Sequence, residues 1–413
     1  MKACVFTLGC KVNEVESASV MSALKSWGIE VTDRLCPADI YVLNTCAVTR
    51  EAEKKSRQLV ARARKFSPEA KVFVVGCASE KDAAAFKEKG VFYVGGARRK
   101  NKLIAALAHR LGAEYACVNN SQGYEILPEP MQARTRAFIK IEDGCNNFCS
   151  YCVIPYLRGR VRSRAPEEIL CEAQNCGCAE VVLTGINISA YCCENCDLAG
   201  LLGVLSPLEK RIRLGSVECG VIDERFLQAC RNLKNFAPQF HLSLQSGSDS
   251  VLRAMNRRYT RAQYLEKCAL IYKYFPEAAI TTDIIAGFAG ETEEDFADSL
   301  SIIEEARFAR VHAFAFSPRE GTAAYKMKDV PPEIKSERLH RLLEAGEVAA
   351  AKFVEKNIGS VQNVIFEDME GDCTAGYTGS YIKVYCAGDL RGKICNVRLV
   401  KPFKDGAFGE VIF

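Results

Sequence analysis

Short apolar runs of strand length alternate with amphipathic segments in the first quarter of the chain. Three of these runs, at residues 3–9, 40–45 and 71–76, are rich in β-branched and aromatic side chains. Helical patterns follow them around 14–26, 50–65 and 80–88. Strands that are separated by a helix form βαβ units and therefore a parallel sheet. The pattern predicts an N-terminal parallel α/β sheet domain over residues 1–112.

Each of these three predicted strands is followed by a cysteine. The carboxyl ends of parallel strands meet at one edge of a sheet. We therefore expect Cys10, Cys46 and Cys77, here called the N-terminal trio, to lie together as a three-thiolate metal site. The alternative is three unrelated buried cysteines, because free cysteine is among the most buried residue types.

The rest of the chain shows further patterns. Residues 112–135 are polar and contain Pro128 and Pro130, so they are expected to connect two domains. Six apolar runs with helical patterns between them predict a central partial (β/α)6 barrel over residues 131–357, ending in a helix near 332–357. Short alternating strands with glycine turns predict a small C-terminal β-barrel over residues 358–413. The six strands are expected near 137–141, 180–184, 211–216, 239–244, 279–286 and 310–316.

A second group of cysteines comes just after the first strand of the predicted barrel. Cys145, Cys149 and Cys152, here called the loop trio, are spaced C-x3-C-x2-C. Iron takes thiolate ligands readily, whereas a structural zinc site would need a fourth ligand that this loop lacks. Three ligands on a four-iron cluster leave one iron open for another group. The spacing also fits one face of a helix, although Gly144 and two adjacent asparagines argue against a helix here.

Composition limits the remaining possibilities. The chain of 413 residues has a net charge of only +4 and contains 21 cysteines. Its first residues lack the apolar core of a signal peptide, and no uncharged apolar run is long enough for a membrane span. We therefore expect a cytoplasmic protein whose thiols bind metals or fill cores. Cys176, Cys178, Cys193 and Cys196 are expected to be thiols that bind no metal, with a four-thiolate zinc site as the alternative that their spacing allows.

The loop trio resembles the cluster loop of the radical S-adenosylmethionine (SAM) enzymes, and the whole chain resembles one family among them, the methylthiotransferases. The order and spacing of several motifs are similar to that family. The C-terminal barrel resembles the RNA-binding TRAM domain. The motifs are the opening TLGCKVN, the NTC and VGC cysteines, HLSLQSGSDSVLRAMNR at 241–257, TDIIAGFAGETEEDF at 282–296 and FSPREGTAA at 316–324.

The resemblance implies two 4Fe-4S clusters and a reaction. The loop trio would be the catalytic ligand set, holding the cluster whose open iron binds SAM and yields a 5′-deoxyadenosyl radical. The N-terminal trio would hold a second cluster that carries the sulfur to be inserted. SAM would be both methyl donor and radical source, with a flavodoxin or ferredoxin as a suitable low-potential electron donor. From their places at strand ends, the expected SAM contacts are Gly185, Asn187, Glu218, Ser243, Gln245 and Ile284 through Gly287.

Residues around the first cysteine separate subgroups of the family. TLGCKVN followed by Glu14, Glu16 and Ser17 resembles the group that acts on N6-threonylcarbamoyladenosine beside the anticodon of tRNA. The resemblance implies insertion of a methylthio group at carbon 2 of this nucleoside. Alternatives are isopentenyl-adenosine in tRNA, a ribosomal protein, or, in a different class, a non-catalytic iron–sulfur sensor that binds RNA. The polar strand ends favour an enzyme, because a sensor scaffold does not need them.

Clustered cations indicate where tRNA would bind. Arg158 and Arg160 alternate with Arg162 and Arg164, and in an extended chain the four would share one face. Arg158 and Arg160 are expected to bind the threonyl carboxylate, because a guanidinium can hold it bidentately. A solvated charged face is the alternative for each patch. In the C-terminal barrel the expected contacts are Arg391, Lys393 and Arg398, near Lys401 and Lys404, with Tyr377, Tyr381 and Tyr385 for base stacking.

Overall fold

A computed structural model of the chain describes residues 1–130 and 135–412. The N-terminal part consists of β1 (Lys2–Thr7), α1 (Lys11–Ser26), β2 (Glu30–Thr32), β3 (Ile40–Thr45), α2 (Arg50–Phe66), β4 (Lys71–Gly76), α3 (Cys77–Lys81), α4 (Ala84–Lys87), β5 (Tyr93–Val94) and α5 (Lys100–Leu111). The five strands form one parallel sheet in the order β2-β1-β3-β4-β5. Apolar clusters cover both of its faces, with α1 and α5 on one side and α2 on the other. This sandwich explains why every residue of β3 is buried.

The helix expected at residues 80–88 is two short helices, α3 and α4. Asp82 leaves the helical region with φ of −144°. Its side chain then accepts a hydrogen bond from the backbone N–H of Ala85 at 3.1 Å, as a capping aspartate does at the start of a new helix. The consequence is that α3 begins at Cys77 itself and is only one turn long before the break.

The central part follows a small hairpin and contains most of the elements. It is built on six parallel strands, with helices between them. The elements are β6 (Val118–Asn119), β7 (Glu125–Ile126), β8 (Arg136–Lys140), β9 (Glu142–Asp143), α6 (Ile154–Arg158), β10 (Arg162–Ser163), α7 (Pro166–Asn175), β11 (Glu180–Thr184), β12 (Cys192–Cys193), β13 (Cys196–Asp197), α8 (Leu198–Leu205), β14 (Arg211–Leu214), β15 (Ser216–Val217), α9 (Glu224–Asn232), β16 (Gln239–Leu242), α10 (Asp249–Ala254), α11 (Arg261–Tyr274), β17 (Ala279–Ala286), α12 (Glu293–Glu305), β18 (Arg310–Ala315) and α13 (Pro332–Asn357).

The third strand of this partial barrel is interrupted at Gly215. β8, β11 and β14 form one parallel sheet, and β15 to β18 form the next. A Cβ on Gly215 would lie only 2.9 Å from the carbonyl oxygen of Leu183, so the bend needs a glycine at this point. One continuous apolar core lines both sheets. The expected fold, a parallel sheet domain followed by a partial (β/α)6 barrel, is confirmed.

The last strands close into a five-stranded barrel, here called the end barrel. Its order is β19-β20-β21-β23-β22, and its interior is a separate apolar cluster. The predicted small C-terminal β-barrel is therefore confirmed as an architecture, while its kinship with TRAM domains stays a prediction. The strands are β19 (Val361–Glu370), β20 (Cys373–Thr378), β21 (Lys383–Ala387), β22 (Ile394–Phe403) and β23 (Gly406–Ile412).

The end barrel is held against the amino ends of the central strands by three arginines around Glu180. Arg213 donates to the backbone oxygens of Gly379 and Thr378 at 2.9 and 3.1 Å, and Arg211 donates to that of Tyr377. Arg136 forms an ion pair with the carboxylate of Glu180, at 3.5 Å, and its guanidinium lies 4.7 Å from the ring centre of Tyr377. Glu180 is fully buried, so loss of one arginine from this ionic cluster would leave a buried charge without its partner. The cluster joins the two barrels.

No helix in residues 1–130 and 135–412 is long and apolar enough to cross a membrane. The domain boundaries expected from the sequence, at 112, 131, 357 and 413, stay predictions. Residues 131 and 413 lie outside the described residues.

Candidate active site

The N-terminal trio lies at the carboxyl edge of the first sheet. Cys46 and Cys77 directly follow the central strands β3 and β4, and Cys10 precedes α1. Gly9 and Gly76 have φ of 114° and 116°, a region that favours glycine, so the chain can turn sharply beside these cysteines. A Cβ on Gly9 would lie 3.1 Å from Cys46 Sγ. The structure thus brings the turn at Cys10 against Cys46, with Cys77 beside them.

The chemistry of these thiols suits an iron–sulfur cluster. Burial raises the pKa of Cys46 and of Cys77, and interaction with Cys10 adds to the rise at both thiols. All three are free cysteines. Converging thiols of this kind ionise when a cationic group binds between them, and soft thiolate ligands favour iron.

The loop trio is held in an irregular loop, so the helical alternative is wrong. Gly144 has φ of 95° and packs so closely on the backbone of Arg160 that a Cβ would not fit. The backbone N–H of Cys145 donates to the carbonyl oxygen of Gly159 at 3.0 Å. Ser150 anchors the far side of the loop, because its backbone N–H and hydroxyl donate to residues at the end of α10.

The thiols of the loop trio face one another and one arginine. Burial raises the pKa of Cys152 to about 12, and the charges of Cys149 and Cys145 add to the rise. The Nη1 atom of Arg257 lies 3.4 Å from Cys149 Sγ. This arginine is a candidate functional residue that the sequence reasoning missed, although it falls inside the motif at 241–257. Its charge would stabilise thiolate ligands, and thus a cluster, at this position.

Two clefts open beside the loop trio and share Asn147 and Glu218. One, of about 440 Å³, is also lined by Cys149 and Arg257. The other, of about 350 Å³, is also lined by Asn187. Glu218 accepts a hydrogen bond from Asn147 Nδ2 at 2.6 Å and forms an ion pair with Arg257 Nη1 at 3.0 Å. This edge therefore presents a carboxylate, two amides and a guanidinium to a ligand that has both charged and hydrogen-bonding groups.

Asn187 and Gly185 are packed around a buried carboxylate, Glu142. The backbone N–H of Asn187 donates to Glu142 Oε2 at 2.7 Å, and its side-chain amide lies 3.9 Å from Cys145 Sγ. A Cβ on Gly185 would meet Glu142 Oε2 at 2.8 Å. Burial raises the pKa of Glu142 to about 8. Gly185 thus serves packing, whereas Asn187 reaches the loop trio.

The other expected SAM contacts lie in varied surroundings. The side chain of Ile284 is fully buried in the barrel core, so a contact with SAM would have to involve its backbone and stays a prediction. Gly287 is buried against Lys335, and its N–H donates to Glu291 at 2.8 Å, so it forms a turn. Ser243 offers its carbonyl oxygen to Arg257, at 3.2 Å. Gln245 has φ of 76° and pairs with the backbone of Ile284 at the strand end.

The alternative of a four-thiolate zinc site finds no support in the part of the chain that the structure describes. No group of three or more histidine, cysteine, aspartate or glutamate side chains among these residues could hold a metal ion. Cys176 Sγ instead contacts the ammonium of Lys210, at 3.3 Å. Cys193 and Cys196 face each other across the hairpin of β12 and β13. The same holds for the two trios, whose thiols would bind a four-iron cluster and not a single ion.

The prediction that four alternating arginines share one exposed face is wrong. Arg158 ends a helix, α6, and is fully buried in contact with Glu16 and Asp143, so it cannot bind RNA. Arg162 and Arg164 are occupied by ion pairs with carboxylates of the chain. Arg160 is exposed, and its guanidinium lies 4.4 Å from the ring centre of Phe148 in the cluster loop. Only this member of the row is placed to meet a substrate beside the loop trio.

In the end barrel the structure separates exposed cations from buried aromatic residues. Lys393 and Arg398 are exposed, and Arg391 is paired with Asp389 at 2.7 Å. Tyr385 is buried and bonded to Asp405, so its predicted role in base stacking is wrong. Tyr377 and Tyr381 stack on each other, with ring centres 4.8 Å apart, where the end barrel meets the central strands. Both rings also contact the guanidinium of Arg136, so they take part in the contact between the two barrels.

Comparisons with known proteins agree with this geometry. Residues 2–95 match the model of the Uncharacterized protein family UPF0004, and residues 139–303 match that of the Radical SAM superfamily. A solved structure with a similar fold is the radical S-adenosylmethionine methyltransferase TsrM from Kitasatospora setae. Its TM-score is 0.54 at 13% identity, covering 76% of this chain and 74% of that chain. At this identity the likeness shows the fold alone.

Curated relatives match over nearly the whole length. The threonylcarbamoyladenosine tRNA methylthiotransferase MtaB of Bacillus subtilis (strain 168) is 36% identical, with 98% of this chain and 96% of the relative covered. The protein of the same name from Chlamydia pneumoniae is 35% identical, with 98% and 97% covered. A tRNA-2-methylthio-N(6)-dimethylallyladenosine synthase from Caldicellulosiruptor saccharolyticus is 33% identical, with 99% and 92% covered. The cofactors of this group are SAM and iron–sulfur clusters, and the chain belongs to the tRNA methylthiotransferase family of radical SAM enzymes.

Proposed function

We propose that this enzyme inserts a methylthio group at carbon 2 of N6-threonylcarbamoyladenosine beside the anticodon of tRNA. The observation that carries the proposal is that this member of the family has two cysteine trios, each at the carboxyl edge of a parallel sheet. The choice of nucleoside is supported by the names of the relatives at 36% and 35% identity. The TLGCKVN opening, which resembles that subgroup, supports the same choice.

The two trios have separate tasks in this proposal. Cys145, Cys149 and Cys152 hold a 4Fe-4S cluster that binds SAM, and Cys10, Cys46 and Cys77 hold an auxiliary 4Fe-4S cluster. When bound, these groups supply a 5′-deoxyadenosyl radical and the sulfur to be transferred. A radical is needed because a C–H bond of this kind is not removed by acid–base chemistry near neutral pH. The electron comes from a low-potential donor such as a flavodoxin or ferredoxin.

The chain's own residues bind and orient the cofactor at the loop trio. Glu218, held by Asn147 and Arg257, provides a carboxylate that would accept a hydrogen bond from the amino group of SAM. Arg257 places a positive charge beside Cys149, where it would balance part of the negative charge of a bound cluster. Asn187 extends its amide toward Cys145 and fixes the edge of the cleft. These four side chains are the side-chain contacts with SAM that we propose.

Arg160 is the residue that we propose to read the threonyl group. It is exposed next to the cluster loop, its guanidinium lies over the ring of Phe148, and no carboxylate among the described residues forms an ion pair with it. A guanidinium can bind a carboxylate through two parallel hydrogen bonds. In the end barrel, Lys393 and Arg398 would neutralise phosphates, with no role in the chemistry.

A direct test of the substrate uses three RNA stem-loops and one enzyme preparation. The reconstituted protein, SAM and dithionite are incubated anaerobically with RNA that carries threonylcarbamoyladenosine, isopentenyl-adenosine or plain adenosine beside the anticodon. Nucleoside mass spectrometry should show the methylthio product only with the first RNA. Efficient reaction of the isopentenyl RNA, or of a ribosomal peptide, would contradict the proposed nucleoside and leave the family assignment intact.

A further inference from the structure

The segment that follows the loop trio, residues 153–158, packs into an apolar cluster of the N-terminal sheet domain. Val153 and Leu157 are buried in the same apolar cluster as Cys77 and Ala78. The helix α6, which starts two residues after Cys152, packs against α3, which begins at Cys77. One short helix therefore lies directly between the two cysteine trios, and its last residue is Arg158.

Arg158 is fully buried and firmly held. Its Nη1 atom lies 2.9 Å from Glu16 Oε1 and 3.0 Å from Asp143 Oδ1, and its Nη2 atom lies 2.6 Å from Asn13 Oδ1. The Nε–H group, in contrast, has no hydrogen-bond partner among the described residues. Buried donors are nearly always satisfied in folded proteins. This N–H group therefore lacks the acceptor that a buried donor normally has.

Arg158 is part of a buried network with an excess of positive charge. Lys100 and Lys140 both bind Glu16, at 2.8 and 2.9 Å, and Lys140 also binds Asp143 at 3.1 Å. Three cations thus share two carboxylates, and all five side chains are at least nine-tenths buried. Burial of an uncompensated charge is costly unless an anion lies nearby.

The neighbouring groups that can be anionic are the thiols of the N-terminal trio. Asn13 Oδ1, which accepts the hydrogen bond from Arg158 Nη2 at 2.6 Å, lies 4.0 Å from Cys10 Sγ. The helix that ends in Arg158 packs against α3, whose first residue is Cys77. A cluster with thiolate ligands is anionic, and its potential depends on hydrogen bonds to its sulfurs and on nearby charge.

We propose that Arg158 is a positioning residue for the auxiliary cluster. Its Nε–H group donates to a sulfur of the occupied N-terminal trio, and its charge balances the anionic cluster. The inference rests on the proposed function, because it requires a cluster on Cys10, Cys46 and Cys77. Reduction adds a negative charge, so a fixed cation at this place raises the reduction potential of the cluster. α6 thus connects the two cofactor sites, because it begins just after the loop trio and ends at Arg158 beside the N-terminal trio.

The test uses the full chain with Cys145, Cys149 and Cys152 replaced by alanine, so that only the N-terminal trio can hold a cluster. After anaerobic reconstitution with iron and sulfide, Arg158→Gln is compared with Arg162→Gln, which removes another cation that pairs with Asp143. Redox titration followed by electron paramagnetic resonance gives the potential, and a chelator gives the rate of iron release. Arg158→Gln should shift the potential to more negative values and release iron about tenfold faster, whereas Arg162→Gln should change neither.

The outcomes separate the inference from the function on which it rests. If the chain with an intact Arg158 holds no cluster on the N-terminal trio, the proposed function is wrong. If it holds a cluster whose potential and iron release are the same in Arg158→Gln, only the role of Arg158 is overturned. Where Arg158→Gln fails to fold, Arg158→Lys decides. Lysine keeps the charge but has no Nε–H donor at this place, so faster iron release supports the inference and unchanged release overturns it.

Discussion

At the scale of single residues, Arg160 carries the proposed selectivity for the threonyl carboxylate. Arg160→Gln should lower kcat/KM for tRNA that carries threonylcarbamoyladenosine roughly tenfold to hundredfold, the worth of a charged hydrogen bond. The low activity on tRNA without this group should stay the same. Arg160→Lys is the matched control, and it should recover part of the loss because it keeps the charge without the planar fork. Equal losses on both RNAs would mean that Arg160 acts on the cluster loop and does not read the substrate.

The buried carboxyl of Glu142 makes the stability of the fold depend on pH. Burial raises its pKa in the folded protein to about 8, well above the value in an unfolded chain. The folded state then binds a proton more tightly, so the stabilising contribution of Glu142 is complete at low pH and is lost as the pH rises through 8. Glu142→Gln, which cannot ionise, should gain stability over the parent on the order of 1–3 kcal/mol between about pH 5 and pH 8.

Thermal unfolding of the metal-free protein at several pH values checks this prediction. The difference in Tm between Glu142→Gln and the parent should widen as the pH is raised. A constant difference over the range would show that Glu142 does not hold its proton in the folded state.

The residues that sequence reasoning placed correctly and those that it misplaced differ in a physical way. Cys46 and Cys77 follow strands directly, so the rule that parallel strands end at one edge is enough to bring them together. Arg158 looked like a surface cation because its partners, Glu16 and Asn13, lie on the first helix of the chain. A contact between such distant segments leaves no local pattern in the sequence.

At the scale of elements, the 26-residue helix α13 depends on one glycine. Gly346 faces β18 so closely that a Cβ would lie 3.2 Å from Val311 Cβ. Gly346→Leu should push the helix from the strand and cost about 1–3 kcal/mol of folding stability. Gly203→Ala in α8 is the control, since no atom lies within 4 Å of the added Cβ, and it should stabilise by about 0.5–1 kcal/mol.

Chemical denaturation of the two glycine variants measures both effects. If Gly346→Leu is as stable as the parent, the contact between α13 and β18 is looser than the structure shows.

The boundaries of elements are predictable where the hydrophobic pattern is strong. The prediction fails where a single residue changes the direction of the backbone. α13 spans the predicted helix because its amphipathic pattern is long and proline begins it. Asp82 and Gly215 break a helix and a strand through a local hydrogen bond and a close backbone contact, respectively. Such breaks depend on neighbours in space, which periodicity alone does not reveal.

At the scale of the whole molecule, the end barrel is expected to contribute affinity for RNA through exposed cations. Replacing both Lys393 and Arg398 with glutamine should reduce the slope of log affinity against log salt by about 1.4, if each neutralises one phosphate of a single strand. Arg391→Gln should change the slope less, because this guanidinium is already paired with Asp389. Binding of tRNA measured by fluorescence anisotropy at several salt concentrations checks both. An unchanged slope in the double variant would place the RNA elsewhere.

The arrangement of the two barrels was not predictable from the sequence. Arg136, Arg211 and Arg213 sit inside strands that read as barrel core, and their partners are tyrosines and backbone oxygens of the end barrel. The tyrosines had suggested base stacking because exposed aromatic residues and cations are typical of RNA-binding surfaces. Composition alone could not show that this aromatic pair takes part in the contact between the two barrels.

The division of labour between the two trios is the central claim, and one experiment tests it most directly. Reconstituted protein, SAM, dithionite and tRNA with threonylcarbamoyladenosine are incubated anaerobically, and 5′-deoxyadenosine and the methylthio nucleoside are measured in the same reaction. Replacement of Cys10, Cys46 and Cys77 with alanine should leave release of 5′-deoxyadenosine intact and abolish the methylthio product. Replacement of Cys145, Cys149 and Cys152 should abolish both. If the first variant keeps a full cluster on the loop trio but releases no 5′-deoxyadenosine, or if the second still forms product, the two trios do not have the separate roles proposed for them.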